Sequence, residues 1–98
     1  MIEIKANKQK RAGTSRRARP EPPFNVILHN DWDNSMPWVV VVLKKAIPGM
    51  SFARAAAIMY RAHSAGKATV KRCHKELAEL YSERLQSEGL TASIEPSR

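Results

Sequence analysis

Asn30-Asp31, directly after an apolar run, and Met59 and His63, four residues apart, form the one constellation in this 98-residue chain that suggests a binding site. Residues four apart share a face of a helix, so Met59 and His63 would project together. The same residues also read plainly as a turn, a core methionine and a helix-end histidine, and their spacing leaves both readings open. Other chemistry finds less support. His29, His63, Cys73 and His74 lack paired ligand spacing, with no C-x-x-C and no H-x-x-x-H, so no metal site is expected. Ser35, Ser51 and Ser64 lack the G-x-S-x-G elbow of a serine nucleophile. Gly13, Gly49, Gly66 and Gly89 are isolated and form no phosphate-cradling loop. No cofactor is expected, and nothing marks an enzyme.

The elements that must carry these residues can be read in order. Phe24-Asn25-Val26-Ile27-Leu28-His29 is β-branched and aromatic and stops at Asn30-Asp31, which predicts a first strand. Asn34 or Ser35 can cap a helix with Pro37 in its first turn, where a missing N–H does no harm. The Val39–Val42 run has strand propensity, but the cap, the early proline and the Pro48-Gly49 stop favour a helix. Ser51 caps a second helix with Phe52, Ala55, Ala56, Met59, Ala62 and His63 on one face, ending at Gly66. Residues 67–73 alternate as a second strand. A third helix runs from about His74 to Glu88 with Leu77, Leu80, Tyr81 and Leu85 as its stripe. Residues 90–94 supply a last strand. The order β-α-α-β-α-β predicts an α+β fold, three helices packed on a small three-stranded antiparallel sheet.

Length allows one domain. Six aromatics leave the core to aliphatic side chains, and the 43% apolar share is enough for it. The net charge of +8 is uneven. Residues 1–23 hold seven Lys/Arg against Glu3 and Glu21, a net +5, whereas residues 24–98 hold ten against seven acids, a net +3. The first stretch is polar, basic and ends in Pro20, Pro22 and Pro23, so it is expected to be a flexible arm (1–23) ahead of a core domain (24–98). A basic arm suits a partner-seeking segment, and a small nucleic-acid-binding protein is the alternative it raises. No apolar run approaches the ~20 residues that span a bilayer, and no apolar signal core follows the basic N-terminus. One cysteine, Cys73, excludes an internal disulfide and fits a reducing compartment. A soluble cytoplasmic monomer is expected.

From Phe24 to Glu95 the chain resembles the ClpS family. The carrying residues are Val26-Ile27-Leu28-His29-Asn30-Asp31, Met36 six residues after Asn30, and Met59-Tyr60-Arg61-Ala62-His63-Ser64-Ala65-Gly66-Lys67-Ala68, similar to the family's M-x-x-x-H-x-x-G-K-A helix end. Ile47-Pro48-Gly49-Met50 resembles the link between the first two helices in plastid and cyanobacterial-type members, which implies the plastid stroma as the alternative location. Gly89-Leu90-Thr91-Ala92-Ser93-Ile94-Glu95 is similar to the family's terminal strand.

The resemblance implies a non-enzymatic adaptor. It would bind N-degrons, proteins whose first residue is Leu, Phe, Tyr or Trp, and deliver them to a ClpA- or ClpC-type AAA+ unfoldase. By family position Asn30, Asp31 and His63 would accept the substrate's α-ammonium, which has only N–H donors. Leu28, Met36, Val39, Met59, Ala62 and Leu90 would form the side-chain pocket, with Asn34 at its rim and Met36 narrowing the entrance against β-branched residues. Glu76 and Glu79 match positions near the unfoldase-docking face, and also suit an ordinary helix start. The arm resembles the family's extensions needed for delivery, and its 23 residues would span about 26 Å. One position departs. Many members carry a second acid after Asn-Asp, and here Trp32 stands there, either altering the pocket mouth or covering the base of the first helix.

Overall fold

A computed structural model describes residues 21–97. The arm expected over residues 1–23 therefore lies, up to residue 20, outside the described residues. The elements are β1 (Phe24–His29), α1 (Met36–Ala46), α2 (Phe52–Ala65), β2 (Lys67–Cys73), α3 (Lys75–Ser87) and β3 (Ala92–Pro96). This is the expected α+β order. The strands form one antiparallel sheet, β2-β1-β3, with β1 in the centre.

Caps and turns set the helix limits. Ser35 Oγ accepts from Trp38 N at 3.2 Å and Ser51 Oγ from Arg54 N at 3.1 Å, each satisfying an otherwise orphaned first-turn donor. Ser35, not Asn34, is thus the cap of α1. Gly66 closes α2 at φ 95°, a left-handed conformation that a β-carbon disfavours. Between α1 and α2, Met50 N donates to Ile47 O at 3.2 Å across Pro48 and Gly49, whose φ is 76°. Proline second and a positive-φ glycine third is the pattern of a type II turn.

The valine run is helical because it buries a helical face. Val40, Val42, Leu43 and Ala46 enter the core while Val41 stays exposed. On the sheet, Val26 and Leu28 from β1, Ala68 and Val70 from β2, and Ala92 from β3 meet Leu43, Ala55, Ile58, Ala78, Tyr81 and Leu85 from the helices. A register shift between Val26 and Ile27 leaves Val70 as the extra residue of a bulge in β2. Arg54 donates to Val70 O at 3.1 Å, supplying a donor to β2, an outer strand of this sheet.

Three expectations shift. Phe52, at the first turn of α2, is 66% exposed, and Ile58 occupies the core instead. On α3, Leu80 is exposed, and the small residues Ala78 and Ser82 are buried beside Tyr81 and Leu85. The buried face of α3 thus runs through Ala78, Tyr81, Ser82 and Leu85, and Leu80 lies off it. The last strand begins at Ala92 rather than Leu90, because Leu90 N still donates to Leu85 O in the turn that ends α3.

Candidate functional site

The site forms where β1 runs out. His29 N donates to Thr91 O and Asn30 N to Gly66 O, both at 2.9 Å. The strand end is thereby pinned between the close of α2 and the approach to β3. Pinning Asn30 to Gly66 sets it beside the last turn of α2, which carries His63, with Met59 one turn earlier.

Asp31 organises the loop that follows. Its Oδ1 accepts from Asp33 N and Asn34 N, each at 3.2 Å, and from Asn34 Nδ2 at 2.9 Å. Its Oδ2 accepts from Thr91 Oγ1 at 3.0 Å. Burial pushes the Asp31 carboxyl up, but the bonds from the Asn34 side chain, Thr91 and the two backbone amides outweigh it. The net result lies below the ordinary carboxylate value. Asn34 Nδ2 also donates to Gly89 O at 2.9 Å, so one amide ties the loop to the turn before Leu90. Helix α1 is held to that same turn through Trp38 Nε1, near its start, donating to Glu88 O at 3.3 Å and through a Lys45–Glu88 ion pair at 3.1 Å from its last turn.

These ties enclose a cavity of about 280 Å³ lined by Leu28, His29, Asn30, Asp31, Trp32, Asn34, Ser35, Met36, Val39, Met59, Ala62, His63 and Leu90. Every residue expected for the pocket and for amine capture is thus brought to one cavity. Leu28, Ala62 and Leu90 are buried, Val39 and Met59 half-buried, and Met36 is 40% exposed. The half-buried polar groups Asn30, Asp31 and His63 share the same cavity. Among the described residues, neither the Asn30 amide nor the His63 imidazole hydrogen-bonds another protein group. An apolar hollow with acceptors beside it suits a ligand joining a hydrophobic side chain to a donor-rich group.

Trp32 does not cover the base of α1. It is 80% exposed and meets the His63 ring edge to face, with centroids 5.4 Å apart. Thr91 had no signal in the sequence beyond membership of the last segment, since its contact with Asp31 spans 60 positions. His29 contributes to the cavity lining, but its Nε2 lies 2.7 Å from Ser93 Oγ. His74 caps α3.

Glu76 and Glu79 are exposed on α3, away from the cavity. Lys75 Nζ sits 5.7 Å from the Phe24 ring, so α3 begins at the start of β1, whereas the cavity lies at its end. Six strand residues separate the two by roughly 17–20 Å. Among the described residues no three His, Cys, Asp or Glu side chains converge as metal ligands. Burial pushes the Cys73 thiol up, with Lys71 opposing, which disfavours the reactive thiolate.

Residues 19–93 match the family described as ATP-dependent Clp protease adaptor protein ClpS. A Clp protease adapter protein of Synechococcus sp. strain CC9902 is 47% identical over 75 residues, covering 76% of this chain and 72% of that one. The counterpart from Synechococcus elongatus is 43% identical over 83 residues, 85% of this chain and 87% of its own. A chloroplastic adapter of Arabidopsis thaliana is 47% identical over 75 residues, covering 76% of this chain and 47% of that protein. Among solved structures, Agrobacterium tumefaciens ClpS2 bound to L-phenylalaninamide matches with a TM-score of 0.71 and 30% identity, covering 78% of this chain and 98% of that one. By family match, identity and fold together, this chain belongs to the ClpS family of ATP-dependent Clp protease adaptors.

Proposed function

We propose that this adaptor captures proteins by a free N-terminal amine together with a Leu, Phe, Tyr or Trp first side chain. It then hands them, as a monomer, to a ClpA- or ClpC-type AAA+ unfoldase. The observation that carries this reading is the single cavity in which Leu28, Met59, Ala62 and Leu90 adjoin Asn30, Asp31 and His63. An α-ammonium is all donor, so it needs acceptors. The Asn30 side-chain oxygen and a neutral His63 nitrogen supply two. Asp31 Oδ1 already accepts three bonds, so its share is the remaining capacity of Oδ2 and a fixed negative charge. The first side chain enters the hollow, where burying a Leu or Phe yields about 1.5–3 kcal/mol. Met36 and Asn34 flank the entrance, and a branch at the substrate's β-carbon would meet Met36. The relatedness to a protein bound to L-phenylalaninamide, a free amine next to an aromatic side chain, supports the same chemistry.

Delivery needs a second surface. Glu76 and Glu79 are exposed on α3 and are not among the cavity's lining residues, so an unfoldase engaged there leaves the cavity accessible, which supports them as docking residues. Relatives from cyanobacteria and a chloroplast support work in the cytoplasm or the plastid stroma, and among the described residues no helix is long and apolar enough to cross a membrane.

Fluorescence anisotropy with peptides differing only in the first residue tests the reading. Leu, Phe, Tyr and Trp peptides bind, Gly peptides and Nα-acetylated Leu peptides do not, and salt has little effect. Affinity indifferent to the first residue but collapsing with salt would instead support the nucleic-acid alternative.

A further inference from the structure

Trp32 is the exposed aromatic ring at this cavity, and its place is braced. The Asp31 carboxylate accepts from Asp33 N and Asn34 N, closing a turn across position 32. The indole packs edge to face against His63 with ring planes at 77°, yet 80% of the residue stays open to solvent. Single exposed apolar residues are ordinary and need no partner. What sets this one apart is its distance from the proposed amine acceptor. A substrate whose α-ammonium bonds His63 has its second Cα only about 3.8 Å beyond the first. The Trp32 centroid lies 5.4 Å from that of His63. The second side chain therefore leaves the cavity within reach of the ring.

We propose that Trp32 is a second specificity-determining residue, forming an open subsite that takes an aromatic side chain at the substrate's second position. The inference rests on the amine-capture reading above. Aromatic pairs meet favourably when stacked with an offset or edge to face, and the braced loop presents the ring without a further ordering cost. Asp31 and the exposed Asp33 neighbour Trp32 in the chain and put negative charge on this loop, so an acidic second residue is disfavoured. A small second residue gains nothing from the ring.

Two peptide series on the full chain separate this idea from its foundation. The first varies residue one as Leu, Phe or Gly with Ala second. The second keeps Leu first and places Phe, Trp, Ala or Glu second, measured on the wild type, Trp32→Phe and Trp32→Ala. Phe and Trp second should bind the wild type about three- to tenfold tighter than Ala, with Glu weakest. Trp32→Phe should keep most of the aromatic advantage, and Trp32→Ala should lose it. If the first series shows first-residue selectivity but the second shows no aromatic advantage, or Trp32→Ala keeps it, the Trp32 subsite is overturned and amine capture stands. If the first series shows no selectivity, both fall.

Discussion

Asp31 Oδ2 accepts a 3.0 Å hydrogen bond from Thr91 Oγ1, joining the loop after β1 to the segment before β3 across 60 positions. The opposite oxygen of the same carboxylate gathers Asp33 N, Asn34 N and Asn34 Nδ2. One side chain thereby fixes the spacing between the polar mouth of the cavity and Leu90.

Asp31→Ala should consequently weaken the fold as well as binding. Its four donors lose their acceptor, and such a loss costs about 1–3 kcal/mol. The pH dependence has a definite sign. The folded carboxyl lies below its ordinary value, so the native state prefers the ionised form. Its contribution is complete above the ordinary carboxylate range and disappears as pH falls through the lower folded value. Urea unfolding at about pH 6 and about pH 3 should show the gap between wild type and Asp31→Asn narrowing with acid. A constant gap would mean that ionisation of Asp31 adds nothing to the stability of the fold.

Met36→Ala should widen the entrance. Met36 is the first residue of α1 and 40% exposed, so truncation costs little stability. Peptides beginning with Ile or Val, which the wild type should reject, are expected to bind the variant, while Leu and Phe peptides still bind. Anisotropy titrations that leave Ile and Val excluded would remove Met36 from the gate.

His63 should impose an acid limb on binding. Imidazolium is all donor and shares the ligand's charge, so only the neutral ring can accept from the α-ammonium. Affinity should fall on acidification by up to about tenfold per pH unit if one proton must leave on binding. His63→Ala should bind weakly and lose that limb. His29→Ala and His74→Ala should keep it, because one pairs with Ser93 and the other caps α3. An acid limb surviving in His63→Ala would assign it to another group.

Removing residues 1–22 should separate binding from delivery. The truncated chain keeps every residue lining the cavity, so peptide affinity should change little. Degradation of an N-degron substrate by the reconstituted unfoldase and protease should be impaired or abolished. Truncation that destroys peptide binding would contradict the division into arm and core.

Much of the architecture was legible because its causes are local. Ser35 and Ser51 cap within three residues, Pro48-Gly49 turns the chain within four, and Gly66 stops α2 where it stands. Those signals outweighed the strand propensity of Val39–Val42. The cavity residues were reached through their resemblance to a family; their spacing alone left Asn30-Asp31 and His63 as a turn and a helix end. What tertiary structure decided are relations between distant segments: the strand order β2-β1-β3, the pinning of β1 by Gly66 O and Thr91 O, and the clasp from Thr91 to Asp31. The same holds for burial on α3, where Ala78 and Ser82 are buried and Leu80 is exposed. Trp32 is the plainest case. Its sequence position allowed a ring over the helix base or a ring at the pocket mouth, and only the brace from Asp31 and the contact with His63 put it at the mouth. Periodicity reports which face of an element is apolar; which partner meets that face depends on contacts dozens of residues apart, which no local pattern encodes.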